Sequence, residues 1–420
     1  MRCMGIAPTT HHPPRTTHHP PHTTYPGCFT AEDAEEHRGT RNENRGASRE
    51  HFALLTSHFS LLTPFLHALC VSVSLWFLTG LGAAEQLQRF QFAQPHMGTL
   101  YRIVLYAPDE EAAQKASGLA FTRIAQLDAC LSDYKDDSEL MKLCGKAGGE
   151  AVPVSADLFE ILRKSLAVSL ASAGAFDITV GPLVRLWRLA RRNHELPPAA
   201  LIAQAQALVG YEKLVLDEKA RTARLLQKDM QLDLGGIAKG YAGDEALAVL
   251  KEQGIERALV VAGGEVVASG PPPGLAGWTV GLAPLEDPDK PPRLYILLRD
   301  GAVSTHGDAE QYVEIGGVRY GHHIDPRTGQ ALKGHGSVSI VARKGVISDG
   351  FGTAVAILGP EAGLKMIDSI PGAAALILQA TEQGEKSYES RDWKDVPKTK
   401  AKTELLNTET QRRREERKEK

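Results

Sequence analysis

Apolar positions between about residue 86 and residue 395 follow two different periods. Spacings typical of amphipathic helices recur in four segments, residues 109–131, 156–173, 240–253 and 348–358. Short apolar runs predict strands at residues 100–106, 258–262, 278–282, 294–298 and 337–342. A hairpin is predicted where a turn-like segment separates residues 214–216 from 223–226. We therefore expect an α+β fold of mixed sheets and packed helices, with residues 85–395 as one domain.

The two ends of the chain differ in composition from this middle region. Residues 1–60 contain a His/Pro/Thr-rich tract, His11 to His22, which is too polar to offset the entropy of ordering. They are predicted to be a disordered leader, with a metal-binding His tract or a start codon called too early as alternatives. Residues 396–420 are rich in Lys, Glu and Arg and are predicted to be a solvated, disordered tail.

Residues 61–84 form an apolar run without acidic, Lys or Arg residues, and the run ends in small residues before Glu85. This layout is typical of a secretory signal peptide, here with cleavage near Ala84. The run is also close to spanning length, so an uncleaved membrane anchor is the alternative. Either reading predicts export to the bacterial periplasm or to the periplasmic face of the inner membrane.

Charge and cysteine content narrow the classes of function. The formal net charge is −3 over 420 residues, which argues against a nucleic-acid-binding protein. Cys130 and Cys144 are the two cysteines of the predicted domain. They could pair in an oxidising compartment or stay free, and their spacing gives no metal-binding motif.

Asp349 and Thr353 lie four residues apart at the start of an apolar run. On a helix this spacing places a carboxylate and a hydroxyl on one face, and both are hard oxygen ligands of the kind that Mg²⁺ prefers. A helix start with Asp349 near the N-cap explains the same residues without a metal.

A glycine-containing segment, Asp233-Leu-Gly-Gly-Ile-Ala-Lys-Gly240, precedes a predicted helix. Exposed backbone N–H groups at a helix N-terminus suit a phosphate, and Lys239 could add a positive charge. The spacing matches neither the dinucleotide-binding nor the Walker motif. A strand-to-helix turn that needs glycine for its backbone geometry is the alternative.

Three further side chains are candidates for binding or catalysis. Asp177, predicted in an extended segment with Thr179, could accept hydrogen bonds from a nucleobase or ribose, or cap the next helix. Tyr134 could stack on a flat heterocycle, or be an ordinary half-buried tyrosine. His322 precedes the turn-forming Asp325 and is predicted at a loop mouth, where it could take a proton near neutral pH.

Together these segments resemble the FAD:protein FMN transferase family, the ApbE-type flavin transferases. The resemblance spans nearly all of residues 90–395 and follows the order of the family's motifs. The matching segments are Met97–Thr99, Leu131–Tyr134 with Ser138–Glu139, Phe176–Leu183 with Leu186–Trp187, Asp233–Gly240, Ala262–Glu265, His322–Gly329 and Asp349–Thr353.

The resemblance implies an FAD cleft between two lobes and a Mg²⁺ ion that bridges the pyrophosphate of FAD. Met97 and Tyr134 would flank the flavin or its neighbouring rings, and His322 would take the proton of a target threonine. The dinucleotide would be contacted by Ala175, Phe176, Asp177, Asp233 and Lys239. The metal would be held by the side chains of Asp349 and Thr353 and by backbone oxygens near Gly236 and Gly352.

The implied reaction attaches FMN to a threonine hydroxyl of a partner flavoprotein, such as a subunit of a membrane redox complex, and releases AMP. Two alternatives are a Mg²⁺-dependent FAD pyrophosphatase, which would use water in the same cleft, and a non-catalytic flavin-binding protein of the periplasm. The chain departs from the family pattern at His323, where an aliphatic residue is usual, so two adjacent histidines are candidates for the base. The stretch between the metal ligands, Gly350 to Gly352, is also richer in glycine than usual.

Overall fold

The computed structural model describes residues 87–285, 290–308 and 311–400. The predicted leader, the apolar run 61–84 and the tail beyond residue 400 lie outside this part of the chain. None of the helices in the described ranges is long and apolar enough to cross a membrane.

Eight strands of the described chain form one antiparallel sheet in the order β1-β2-β6-β7-β10-β14-β15-β16. They are β1 Gln88–His96, β2 Thr99–Ala107, β6 Ala258–Ala262, β7 Glu265–Ala268, β10 Gly301–Gly307, β14 Gly336–Ala342, β15 Ala374–Thr381 and β16 Gly384–Glu389. Helices pack on the sheet, which confirms the predicted α+β class.

The hairpin between β1 and β2 turns at Met97 and Gly98. His96 pairs with Thr99, so the loop has two residues, and both have positive φ, 47° at Met97 and 70° at Gly98. Two positive φ values in a two-residue loop define the turn whose twist matches that of the flanking strands. The turn holds Met97 in a backbone conformation that non-glycine residues rarely adopt.

Three long helices pack together along the sheet: α1 Glu110–Leu131, α6 Ala238–Glu252 and α7 Gly345–Ile367. The side chain of Asp109 caps α1 by accepting the N–H of Ala112, as a residue with that oxygen at an N-cap should. Helix α7 packs against β10 and β14 and is interrupted at Gly359, which has φ of 74° and precedes Pro360. This break explains why the sequence predicted the helix only as far as residue 358.

Strands β8 Trp278–Leu282, β9 Leu294–Leu298 and β17 Lys398–Thr399 form a small sheet with β9 in the middle. Trp278 and the fully buried Trp393 lie in one hydrophobic core with residues of the large sheet. Because β17 pairs with β9, the folded region continues past residue 395, the boundary that the sequence predicted.

A second core forms where α4 Gly181–Asn193 and α5 Ala199–Gln206 meet a sheet of β11 Tyr312–Ile315, β12 Val318–Asp325 and β13 Gln330–Lys333. Trp187 anchors it, because its ring packs on Tyr320 and its indole N–H donates to the carbonyl of Gly329 at 2.9 Å. The remaining α-helices and strands of the described chain are α2 Glu139–Cys144, α3 Ala156–Ala171, β3 Val152–Pro153, β4 Leu214–Asp217 and β5 Thr222–Leu225, with β4 and β5 forming the predicted hairpin.

Candidate active site

A cleft of about 900 Å³ is lined by residues of both the large sheet and the second core. Its volume lies in the range of small-molecule sites. Of the predicted site residues, the cleft wall includes Met97, Tyr134, Ala175, Phe176, Asp177, Asp233, Gly236, Lys239, His322, His323 and Thr353. Asp349 and Gly352 lie behind this wall in α7, and both are buried.

Asp349 is fully buried, and only one of its two oxygens has a hydrogen-bond partner within the described structure. Oδ2 accepts the backbone N–H of Gly240 at 2.9 Å, whereas Oδ1 has none. The N-cap of the helix is Lys344, and Asp244 accepts the N–H groups of Gly345 and Val346. Asp349 therefore has no capping role, and its free oxygen needs another explanation.

Thr353 lies one helical turn after Asp349, and its hydroxyl is buried without a partner among the described residues. The loop before α6 approaches this hydroxyl closely, because a Cβ at Gly236 would lie 2.7 Å from Oγ1 of Thr353. Glycine is thus required at residue 236 for the two segments to meet. Asp349 Oδ1 and Thr353 Oγ1 are orphaned hard oxygen donors, which is the chemistry that Mg²⁺ requires.

Two residues to which the sequence assigned no role complete this region. Glu265 belongs to a motif that was noted without a function, and His306 was not singled out. Together with Asp349 they are buried, and one ligand atom from each lies within 4.8 Å of the others. The alternation of β10 could have indicated His306, because Ala302, Ser304 and His306 share one face of that strand.

Arg188 organises the mouth of the cleft. It donates to the carboxylate of Asp133 at 2.5 Å and to that of Asp233 at 3.0 Å, and its guanidinium lies 4.3 Å from the ring centroid of Tyr134. Tyr134 is 76% exposed, which does not fit the alternative of an ordinary half-buried tyrosine. The guanidinium of Arg188 lies on one face of the exposed Tyr134 ring, so the other face is open to a planar ligand.

The segment from Asp233 to Gly236 is a loop that leads into α6. Oδ1 of Asp233 accepts the N–H of Gly235 at 2.8 Å, and the ammonium of Lys239 donates to the carbonyl of Gly235 at 3.1 Å. Burial raises the pKa of Asp233, with Asp133 adding to the shift and Arg188 opposing it.

Lys239 also lies 3.6 Å from Oε1 of Glu265. Burial acts to lower the pKa of Lys239, but Glu265 and Asp349 outweigh it and raise the pKa, so the side chain stays charged. Burial is the main cause that raises the pKa of Glu265 to about 8, and the attraction of Lys239 opposes this shift. The cleft floor therefore carries a fixed positive charge beside the orphaned oxygens, as an anionic ligand needs.

Asp177 does not lie in an extended segment, as the sequence predicted, but in a turn. Oδ1 accepts both the N–H and the hydroxyl of Thr179, at 2.8 and 2.7 Å, and the backbone of Tyr211 also hydrogen-bonds the carboxylate. Helix α4 has no side-chain cap, so Asp177 does not serve that role either. Burial raises its pKa to about 6. The carboxylate stabilises the turn that presents Ala175 and Phe176 to the cleft.

His322 lies within strand β12 and not at a loop mouth, so that part of its prediction was wrong. Its ring centroid is 4.0 Å from that of His323, and His323 lies 5.8 Å from His306. The three imidazoles form a row that leads from His322 to Asp349, since His306 Nε2 is 3.7 Å from Asp349 Oδ1. Nδ1 of His322 and Nε2 of His323 are buried and lack hydrogen-bond partners in the described ranges.

Burial, together with the neighbouring His306, Arg191 and Lys239, lowers the pKa of His322 to about 4. Burial also lowers the pKa of His323, well below its usual value. At neutral pH both imidazoles are uncharged and can accept a proton, which is the form that a general base requires.

The protein has an α+β fold with a deep cleft between two hydrophobic cores. The orphaned oxygen donors and the row of neutral histidines at this cleft fit the binding of a small molecule and the transfer of a proton. A model of the ApbE family matches residues 97–377. That span is more than half of the chain, and the chain therefore belongs to the ApbE family.

Relatives of known name agree with this assignment. An FAD:protein FMN transferase of Klebsiella pneumoniae (strain 342) is 33% identical over 305 residues, covering 70% of this chain and 85% of the relative. The protein of the same name from Treponema pallidum (strain Nichols) is 31% identical over 327 residues, covering 73% and 90%.

Solved structures give the same result. The flavin transferase ApbE of Vibrio cholerae superposes with a TM-score of 0.66 at 26% identity, covering 74% of this chain and 99% of that one. The ApbE protein of Thermotoga maritima superposes with a TM-score of 0.66 at 30% identity, covering 74% and 99%.

Proposed function

We infer that this chain is an FAD:protein FMN transferase, an enzyme that moves FMN from FAD onto a protein. The relatives that bear this name match the chain over most of their own length. We propose further that the acceptor is a threonine hydroxyl and that Mg²⁺ is required. The observation that carries the proposal is the row of neutral imidazoles between the open cleft and the orphaned oxygens of Asp349 and Thr353.

In the proposed reaction the oxygen of the acceptor threonine attacks the FMN-side phosphorus of FAD. His322 takes the hydroxyl proton as the new P–O bond forms, and the bond from that phosphorus to the bridging oxygen breaks. AMP leaves with the bridging oxygen and its electron pair. Phosphoryl transfer depends mainly on positioning and charge neutralisation, so the protein needs little covalent chemistry of its own.

The metal site fits Mg²⁺ in the chemistry of its donors. Asp349 Oδ1 and Thr353 Oγ1 would hold the ion, with backbone oxygens near Gly236 and Gly352 as further candidates. When bound, Mg²⁺ would neutralise charge on the pyrophosphate. Lys239 adds a second positive charge from the protein, because its ammonium is held at the cleft floor by Gly235 and Glu265.

The mouth of the cleft supplies the binding surface for the flat rings of FAD. We propose that Tyr134 and Met97 flank the flavin or its neighbouring rings, since both line the cleft and Tyr134 presents an exposed face. Asp233 is already bridged by Arg188 and Gly235, so this loop is ordered before the ligand arrives. A preformed site lowers the ordering cost of binding.

The test is to incubate the purified full chain with FAD, Mg²⁺ and a threonine-containing acceptor domain from a flavinylated redox subunit. Mass spectrometry of the acceptor is combined with an assay for AMP. We expect a mass gain equal to that of FMN minus one water, which is the mass of FAD minus that of AMP, and one AMP for each labelled acceptor. AMP and free FMN without a labelled acceptor would instead indicate a pyrophosphatase, and bound FAD without AMP would indicate a binding protein.

An acceptor in which the threonine is replaced by valine is the matched control, because valine keeps the shape and removes the nucleophile. Labelling of that acceptor would contradict threonine as the target. Omitting Mg²⁺ in the presence of a chelator tests the metal separately. Full transfer under that condition would contradict the proposed metal requirement.

We also propose that the enzyme acts in the bacterial periplasm, on a subunit of a membrane redox complex. The support is the apolar run at residues 61–84, which has the composition of an export signal or anchor. Fractionation of cells that express the full chain tests this location. Recovery in the cytoplasmic fraction would contradict it.

A further inference from the structure

His306 occupies an inward position on strand β10, where its side chain is only 6% exposed. The same strand face carries Ser304, whose hydroxyl hydrogen-bonds that of Ser348 in α7 at 2.7 Å. This contact fixes the strand against the helix that bears Asp349. The imidazole of His306 is thereby held with Nε2 at 3.7 Å from Oδ1 of Asp349.

The orientation of the ring leaves one nitrogen available as a ligand. Nε2 of the imidazole has no hydrogen-bond partner within the described residues, and the backbone of Ser348 lies next to the ring. Metal-binding histidines usually present one ring nitrogen to the ion while a carbonyl or carboxylate orients the other.

Both neighbouring carboxylates are arranged in the same way, with one oxygen engaged and the other not. Oδ2 of Asp349 accepts from Gly240, and Oε1 of Glu265 faces Lys239. Oδ1 of Asp349 and Oε2 of Glu265 are buried and find no partner in the described chain. One ligand atom from each of His306, Asp349 and Glu265 lies within 4.8 Å of the others, and each of the three residues has an unpartnered ligand atom.

Gly352 makes room for the imidazole. A Cβ at this position would lie 2.1 Å from Cδ2 and 2.2 Å from Nε2 of His306, which is far closer than real atoms approach. Only glycine at residue 352 lets the ring reach Asp349. The glycine-rich stretch that departs from the family pattern therefore has a physical reason in this chain.

We propose that His306 adds a nitrogen ligand to the Mg²⁺ site, which raises the affinity of the site for a divalent first-row transition ion relative to Mg²⁺, so that such an ion can take the place of Mg²⁺. The proposal rests on the metal site of the proposed function and specifies a second kind of ion that this site can hold. Mg²⁺ is held almost entirely by oxygen, whereas imidazole suits ions such as Fe²⁺, Co²⁺ and Zn²⁺. Asp349 and His306 supply the mixed donor pair, and Glu265 supplies a third ligand.

The test uses Co²⁺ as the probe, added to the metal-stripped full chain without FAD. Visible absorption gives its affinity, competition with Mg²⁺ gives the selectivity, and NMR detects the exchangeable imidazole N–H proton shifted by the paramagnetic ion. We expect such a proton in the wild type. We expect His306→Ala to remove it and to lower the selectivity for Co²⁺ over Mg²⁺ at least tenfold, since even outer-shell partners contribute roughly 10–100-fold.

Two further variants separate ligation from misfolding. Gly352→Ala keeps the histidine but displaces its ring, so it should also lose the shifted proton. The double variant His306→Ala with Gly352→Ala removes the clash. It should therefore bind Mg²⁺, and its free energy of unfolding should be close to that of His306→Ala. His322→Ala is the matched control, because it removes an imidazole of the same cleft that is outside the proposed ligand set, and it should keep the proton signal.

Failure of this inference is distinguishable from failure of the proposed function, because FMN transfer is assayed in parallel. Transfer with Mg²⁺ but no shifted imidazole proton, or an unchanged selectivity in His306→Ala, overturns the nitrogen ligand and leaves the transferase intact. A shifted proton in a protein that transfers no FMN with any ion supports the ligand and overturns the transferase.

Discussion

Gly240 donates its backbone N–H to Oδ2 of Asp349 at 2.9 Å, which joins α6 to α7 directly behind the cleft. One oxygen of the carboxylate, Oδ2, therefore has a structural role, and the other, Oδ1, is free.

Asp349→Asn keeps an oxygen acceptor for Gly240 but loses the charge, so we expect a folded protein without metal-dependent transfer. Asp349→Ala should also lose about 1–3 kcal/mol of stability, because a buried donor is left unsatisfied. Urea unfolding and the FMN-transfer assay on both variants measure the two effects; equal stability of the two would contradict this division of roles.

The same junction requires glycine at residue 240. A Cβ there would lie 2.1 Å from the carbonyl oxygen of Gly345 and 2.8 Å from Cβ of Asp349. We expect Gly240→Ala to reduce the free energy of unfolding by several kcal/mol and to lower metal affinity, because α7 must move away. Thermal unfolding and a metal titration check this prediction.

Gly118 provides the control for that substitution. It lies within helix α1, is exposed, and an added Cβ there would have no atom within 4 Å apart from the local backbone of its own helix. Gly118→Ala should stabilise the protein by about 0.5–1 kcal/mol through helix propensity. A similar loss of stability in both variants would show that the tight contact at Gly240 is not the cause.

Arg188 is expected to control FAD affinity through the ordering of Tyr134 and Asp233. Lysine cannot bridge two carboxylates and stack on a ring at the same time, so Arg188→Lys should weaken FAD binding by about tenfold. Fluorescence titration with FAD measures the effect. Arg185→Lys, an exposed position on the same helix, should leave the affinity unchanged. A loss of FAD affinity in Arg188→Lys that is no greater than the loss in the control would argue against the bridging role.

The lowered pKa of His322 predicts how transfer depends on pH. Since its pKa is about 4, the neutral base is already fully populated from about pH 6 to pH 8, and its protonation should not limit the rate there. Transfer should decline as the pH falls toward 4. A rate-limiting titration near 6.5 that disappears in His322→Gln would show that the free imidazole has an ordinary pKa.

The same shift predicts a contribution to stability. Between the unfolded pKa of 6.5 and the folded pKa of about 4, the unfolded chain binds more protons at this residue, so stability falls as pH is lowered through that window. The size is up to roughly 3 kcal/mol. Urea unfolding at several pH values, with His322→Gln as the comparison, isolates it, because the variant should lose less stability on acidification.

Local patterns predicted the elements of this fold better than they predicted its contacts. The strand at residues 258–262 was found at its observed bounds, because the period of a buried strand is local information. The turn at Asp177 was read as extended, since its geometry depends on a hydrogen bond to Thr179 that composition does not reveal. His322 lies in a strand because β12 pairs with its sequence neighbours β11 and β13, and none of these three strands was predicted from the sequence.

The candidate site shows the same division. Asp349 and Thr353 were identified from helical spacing alone. His306 was not, because it joins Asp349 only when β10 packs against α7, and that contact is tertiary. Gly352 was noted as unusual without a reason, since the clash that requires glycine is with a residue 46 positions away in the chain.

The two cysteines of the described domain are free, and each thiol already has a partner other than sulfur. Cys130 donates to Glu139 at 3.2 Å, and its pKa is raised to about 12 by burial and by that carboxylate. Cys144 accepts the N–H of Leu232 at 3.3 Å. Thiols held in this protonated form react slowly with oxidants. The catalytic domain can therefore keep both cysteines unpaired in reducing and in oxidising surroundings, on either side of a membrane.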